Sequence, residues 1–97
     1  MKVRLTRRAL ADLHAIAHYL KDRNPRAAER VEIVIRATLQ RIAEYPSIGR
    51  HQAAQRVRKA VTPEFGYIIY YEVDESLGEI AILAIQHGRQ ERPFDDA

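Results

Sequence analysis

An α+β fold, with two helices packed on one face of a small curved sheet, is what this sequence predicts. Two adjacent stretches carry apolar residues at three- and four-residue spacing, and three later stretches alternate or run apolar at strand length. A short alternating segment precedes them, so the order is strand, helix, helix, then three strands. A three-stranded antiparallel meander with one polar face cannot bury its other face alone, and the helix hairpin is expected to lie across it.

The opening "MKVRL" sets Val3 and Leu5 against Lys2 and Arg4, a strand with one buried face that is expected to extend the sheet edge. Thr6 is placed to cap a first helix. From about Arg7 to Asp22 the stripe Leu10, Leu13, Ala17 and Leu20, with Ile16 beside it, marks one face of that helix. "DRNP" breaks it, and Asn24 as N-cap with Pro25 at the first helical position starts a second helix at once. The pair must form a tight antiparallel hairpin.

The second helix runs to about Tyr45, with Val31, Ile35, Leu39 and Ile42 as its core face and the small Ala27 and Ala28 near the bend. Pro46 stops it. After the loop "PSIGRHQAA" come "RVRKAV", with Val57 and Val61 on one face, "YIIYYEV" from Tyr67 and "EIAILAI" from Glu79. "DESLG" between the last two reads as a hairpin turn. The closing "EIAILAIQHGRQERP" is expected to be a central or near-central strand that emerges beside the basic strand.

A chain of 97 residues, 46% of them hydrophobic, has room for one domain over residues 1–97 and a modest core. The absence of cysteine excludes a disulfide scaffold or a thiolate metal site. Apolar runs fall far short of a membrane span, and the basic start lacks the apolar stretch of a signal peptide, so a reducing cytoplasm is the expected compartment. His14 and His18 are four apart on the first helix, but "HAIAH" lacks the acid of a zinc-protease motif and a third ligand nearby. Neither a metal nor a cofactor is expected.

Charge is mildly basic, 16 Lys and Arg against 13 Asp and Glu, but unevenly spread. "RHQAAQRVRK" holds Arg50, Arg56, Arg58 and Lys59 with one histidine and no acid, which makes one edge locally positive. Two readings stand side by side: a solvated basic strand face, or a site for an anion or an acidic partner.

The fragments "DLHAIAHYL", "NPRAA", "YPSIGR", "VRK", "GYIIYYEV" and "IQHGRQ", in this order and spacing over nearly the whole chain, resemble the RelE/ParE superfamily. These are the toxin subunits of bacterial type II toxin-antitoxin pairs, and "HGRQ" after an apolar strand is most similar to the plasmid-stabilising ParE branch. The resemblance implies a protein that arrests growth when free and is neutralised by a co-produced, ParD-like or other antitoxin. For the ParE branch it implies DNA gyrase as the target, reached through a binding surface without chemistry by the toxin.

The RelE branch instead cuts messenger RNA on the ribosome, which needs a base for the ribose 2′-hydroxyl, an acid for the 5′-oxygen and cations for the phosphorane. This chain matches part of that set. Arg58 and Lys59 lie near the family's first basic group, and Arg89 matches the arginine after the last strand. Ile68 stands where the arginine after "GY" belongs, and Phe94, with no proton to exchange, is the nearest aromatic after Arg89. His87 has a reference pKa near neutrality and two-residue spacing from Arg89, so it is the candidate base or acid.

Structural readings compete at each position. His87 and Gly88 could simply end a strand, with the glycine permitting a bulge or sharp turn. Arg89 suits a carboxylate of a partner peptide or an internal acid such as Glu72. Tyr67, Tyr70 and Tyr71 are strand residues before they are base-stacking platforms. Arg50, Arg56, Arg58, Lys59, His87 and Arg89 are the candidate binding residues. An acidic antitoxin tail, disordered when free, is the expected partner, laid as an amphipathic helix in an apolar groove or added as a strand.

Overall fold

The computed structural model describes residues 1–52 and 56–88. They form β1 (Lys2–Leu5), α1 (Arg7–Arg23), α2 (Pro25–Glu44), β2 (Arg50–His51), β3 (Arg58–Val61), β4 (Tyr67–Asp74) and β5 (Glu79–His87). The sheet order is β1-β5-β4-β3-β2, with β1 parallel to β5 and every other pair antiparallel. The two helices and the meander stand where the sequence places them. β2 adds a strand that the sequence does not predict: it is two exposed residues long and has no apolar alternation to betray it.

Both helix starts are made by capping residues. Thr6 Oγ1 accepts the Ala9 amide at 3.2 Å and donates to the Ile82 carbonyl at 2.7 Å, so the cap of α1 is also its anchor to β5. Asn24 accepts the Ala27 amide on its side chain at 3.2 Å, while its own amide donates to the Leu20 carbonyl at 2.7 Å. One residue therefore ends α1 and begins α2, which is why the hairpin has no loop.

The main core lies between helices and sheet and joins Ala9, Val31, Ile35 and Ile42 to Tyr67, Ile69, Tyr71, Ile80, Ile82 and Ile85. On α2 the predicted face holds, widened by buried Val34 and Thr38. On α1 it is rotated. Ala9, with Leu13, Ile16 and Leu20, meets the core, whereas Leu10 is exposed and Ala17 faces the groove toward α2. The Thr6 anchor sets this rotation, and the small Ala9 side chain allows the close approach.

The opposite face of the sheet is not polar, contrary to expectation. Val57, Ile68, Tyr70 and Ala84 form a second buried cluster there. Tyr67 through Tyr71 are buried without interruption, the mark of a strand covered on both faces rather than one. Val61, expected beside Val57, is 57% exposed because it ends β3.

A bulge in β5 decides where its end points. Tyr70 faces Ala84 while Tyr71 faces Ile82, so Leu83 is the extra residue. Ile80 and Ile82 point to the helices before the bulge, and Ile85 and His87 do so after it. Without the bulge His87 would point to the other face. The ladder then continues one step, the Gly88 amide donating to the Gly66 carbonyl at 3.1 Å.

Candidate functional site

The basic edge is built by the β2–β3 ladder, in which Arg50 stands opposite Lys59 and His51 opposite Arg58. Like charges directly opposite are unfavourable across strands, so local pairing alone does not account for this arrangement. Arg58, on the other face of the strand from Lys59, turns into the loop after α2. Its Nη1 donates to the Gly49 carbonyl at 2.9 Å and reaches the Ser47 carbonyl at 3.4 Å. Arg56, just before β3, lies in the field of Asp74, whose carboxyl is held below the usual range chiefly by the Ser76 hydroxyl and the Leu77 amide.

The same loop is clamped from inside. The Tyr71 hydroxyl donates to the Pro46 carbonyl at 2.7 Å and accepts the Gly49 amide at 2.8 Å. Burial pushes the Tyr71 hydroxyl up, with the Gly49 amide and Arg58 offsetting part of the shift, so at neutral pH it is protonated and able to donate. "YPSIGR", one of the fragments that carry the resemblance, is thus held by Tyr71 and Arg58 as a structural unit.

His87 lies elsewhere. It pairs with Tyr67 in the β4–β5 ladder and packs edge-on against that ring, centroids 5.4 Å apart at 85°. Its side faces α1, in a cavity of about 470 Å3 lined by Asp12, Ile16, Tyr19, Tyr67 and Ile85. Asp12 accepts the Ile85 amide at 3.0 Å, beyond the end of β1. Burial pushes the Tyr67 hydroxyl up, with a smaller contribution from Tyr19.

The predicted juxtaposition is therefore corrected. His87 does not emerge beside the basic strand, because β4 lies between β5 and β3. Arg50, Arg58 and Lys59 come together; Arg56 sits at their margin, His87 is across the sheet, and Arg89 lies outside the described residues. No cation lines the His87 cavity among the described residues. Ile68, in place of the RelE-type arginine, is buried in the second cluster.

Two grooves flank α2. The one toward α1, about 320 Å3, is largely apolar, with Leu13, Ile16, Leu20, Val31, Ile35 and Leu39 in its lining beside His14, Glu32 and Arg36. The one toward β3, about 730 Å3, brings Arg30 and Arg41 of α2 to Arg50 and Lys59 of the basic edge. Sequence reasoning missed Arg30 and Arg41. Their signal was available: Arg30, Ile33, Ala37 and Arg41 recur at helical spacing on a face of α2 that carries no predicted core position.

A family model described as the ParE toxin of the type II toxin-antitoxin system parDE matches residues 3–92. The chain belongs to the ParE toxin family. It is 34% identical over 92 residues to Y4kP of Sinorhizobium fredii, covering 95% of this chain and 93% of that one. It is 38% identical over 82 residues to Toxin RelE2 of Caulobacter vibrioides, covering 84% and 89%. In fold it is similar to the chromosomal ParDE toxin-antitoxin system from P. aeruginosa, with TM-score 0.76, 24% identity and coverage of 90% and 95%. The intact E. coli RelBE complex is a more distant likeness, with TM-score 0.61, 14% identity and coverage of 92% and 98%. The ParE family's helix hairpin and sheet are both present here, in an open five-stranded sheet.

Proposed function

We propose that this ParE-family toxin arrests growth by binding DNA gyrase rather than by cutting RNA. The observation that carries this reading is the division of the ribonuclease set. His87 stands across β4 from Lys59 and Arg58, and the Arg58 guanidinium is engaged by the Gly49 and Ser47 carbonyls. A phosphodiester transition state needs proton transfer and charge stabilisation within hydrogen-bond reach of one phosphate. Binding to a protein target makes no such demand.

An antitoxin segment fits the α1–α2 groove. Its apolar lining matches the stripe of an amphipathic helix, which places anchors at three- and four-residue spacing. The solved ParDE and RelBE structures to which the chain is similar are toxin-antitoxin assemblies, which supports the same kind of partner here. Among the described residues no helix is long and apolar enough to cross a membrane.

Expression without antitoxin tests the reading. Replication should stop and a DNA-damage response appear, with purified toxin inhibiting gyrase supercoiling while messages on translating ribosomes stay intact by primer extension. Codon-linked cleavage of those messages, with normal gyrase activity, would establish the RelE-like alternative with His87, Arg89, Arg58 and Lys59 as its candidate residues. Normal growth would mean a domain that keeps the fold without the activity. Arg89 adds a second measure: Arg89→Ala should lower affinity for gyrase or antitoxin by about 1–3 kcal/mol, with toxicity falling in step.

A further inference from the structure

The cavity that holds His87 is assembled from distant parts of the sequence. Every described residue of its lining belongs to "DLHAIAHYL", "GYIIYYEV" or "IQHGRQ", three of the fragments that carry the family resemblance. Asp12, Ile16 and Tyr19 stand at four- and three-residue spacing on one face of α1, and the bulge at Leu83 turns His87 toward that helix. Neither the α1–α2 groove nor the basic edge uses Asp12, Tyr19, Tyr67 or His87.

The lining joins aromatic rings to a carboxylate. Tyr67 and His87 meet at 85° with ring centroids 5.4 Å apart, and Tyr19, 57% exposed, adds a third ring from α1. Burial first, and then the Tyr19 hydroxyl, push the Tyr67 hydroxyl up, so the two phenols lie in one field. Asp12 contributes the carboxylate, and no lysine or arginine joins it among the described residues of the lining. Two guanidiniums of α1 show what these groups attract: Arg8 approaches Asp12 at 3.7 Å, and Arg23 lies over the Tyr19 ring at 3.9 Å. Neither lines the cavity.

We infer that this cavity binds an organic cation, an alkylammonium or alkylguanidinium group whose charge meets Asp12 and the rings of Tyr19 and Tyr67 while its stem lies against Ile16 and Ile85. Ring faces carry negative potential, so a carboxylate set among them recognises such a group twice over. An anion would find no lysine or arginine in the described lining, and a wholly apolar ligand would strip water from Asp12 without replacing it. The volume of about 470 Å3 suits a small ligand or one side chain. The inference is independent of whether gyrase is the target.

Butylguanidinium and butylammonium, titrated into the full chain, are the probes. Amide shift changes in the 15N spectrum should centre on Ile16, Tyr19, Ile85 and His87. Asp12→Asn, which keeps an acceptor oxygen for the Ile85 amide, should weaken binding about tenfold or more, and Tyr19→Ala about fivefold. Glu29→Gln, the same charge change at an exposed α2 position outside the cavity, should leave affinity within about twofold. An acetylated and amidated Gly-Arg-Gly tripeptide distinguishes the sources of the cation. Tighter binding than butylguanidinium supports the site with an arginine side chain of a protein as its occupant; weaker binding supports it with a free small molecule.

Four results would overturn the inference: no binding of either cation; shift changes confined to the α1–α2 groove; equal loss in Asp12→Asn and Glu29→Gln, which reports only overall charge; or tighter binding of guanosine, which offers a ring and an N–H edge without a charge. Shift mapping on the unsubstituted protein answers the question even if a variant fails to fold.

Discussion

The Gly49 amide donates to the Tyr71 hydroxyl at 2.8 Å, and a Cβ at position 49 would lie 2.6 Å from that same oxygen. The loop after α2 can close on the sheet only because residue 49 has no side chain. Tyr71 in turn satisfies both the Gly49 amide and, at 2.7 Å, the Pro46 carbonyl. Loop, strand and ring are thus one unit, and β2 begins where this unit releases the chain at Arg50.

Tyr71→Phe should lower stability by about 1–3 kcal/mol, because it strands a buried amide and a carbonyl. For a chain of this size that is a fall in Tm of about 4–8 °C per kcal/mol, readable by calorimetry. Gly49→Ala should also destabilise, and the tyrosine-to-phenylalanine change should not rescue it. The ring carbons Cε1 and Cζ, 2.7 and 2.9 Å from the added Cβ, remain in phenylalanine. Rescue in the double variant would show that only the hydroxyl is in the way.

The tyrosines give a signed pH dependence. Burial raises the folded-state pKa of Tyr71 and Tyr67 above the ordinary value of 10.0, so the folded state binds more protons than the unfolded state above that pH. Their contribution is complete below about pH 10 and is lost as pH rises through the raised values. Denaturant melts between pH 8 and 12 should show stability flat and then falling. The slope should be shallower in Tyr71→Phe; an unchanged slope would remove Tyr71 from the account.

Asp12 holds the part of β5 that β1 is too short to cover. Asp12→Ala should cost about 1–2 kcal/mol by leaving the Ile85 amide without its acceptor, while Asp12→Asn, which keeps an acceptor oxygen, should cost less. The Arg8 pair at 3.7 Å is largely exposed and adds little. Equal losses in the two variants would make charge, not the hydrogen bond, the operative feature. Amide exchange at Ile85 provides a local reading of the same effect.

Arg58 and Arg50 are neighbours on the basic edge with different duties. Arg58→Ala should lower Tm, corresponding to about 1–2 kcal/mol, because the Gly49 carbonyl loses its charged donor. Arg50→Ala should leave stability within about 0.5 kcal/mol, as expected for an exposed side chain without an ion-pair partner among the described residues. Toxicity lost in Arg50→Ala at unchanged Tm would be a binding defect. Thermal melts beside growth assays separate the two.

The motifs of the sequence pointed to the family by resemblance, and the sequence by itself determined the element order, the two capped helices and the hairpin turn. Each rests on local chemistry: Thr6 and Asn24 can cap wherever the helices lie, Pro25 and Pro46 act on their own backbone, and helical periodicity needs no partner to be read. It also displayed the cations Arg50, Arg56, Arg58 and Lys59 as a group, since they are close along the chain. What it could not show was which strands are neighbours. Only the tertiary structure decided that β4 separates His87 from Lys59 and that a bulge at Leu83 turns His87 toward α1. Only there does Arg58 become part of a loop clamp and do Arg30 and Lys59, distant in sequence, come to line one groove. Strand order and bulge position arise from non-local pairing, whose energy depends on the whole sheet and both helices at once. A property set by such contacts leaves no period or motif in the strand that carries it.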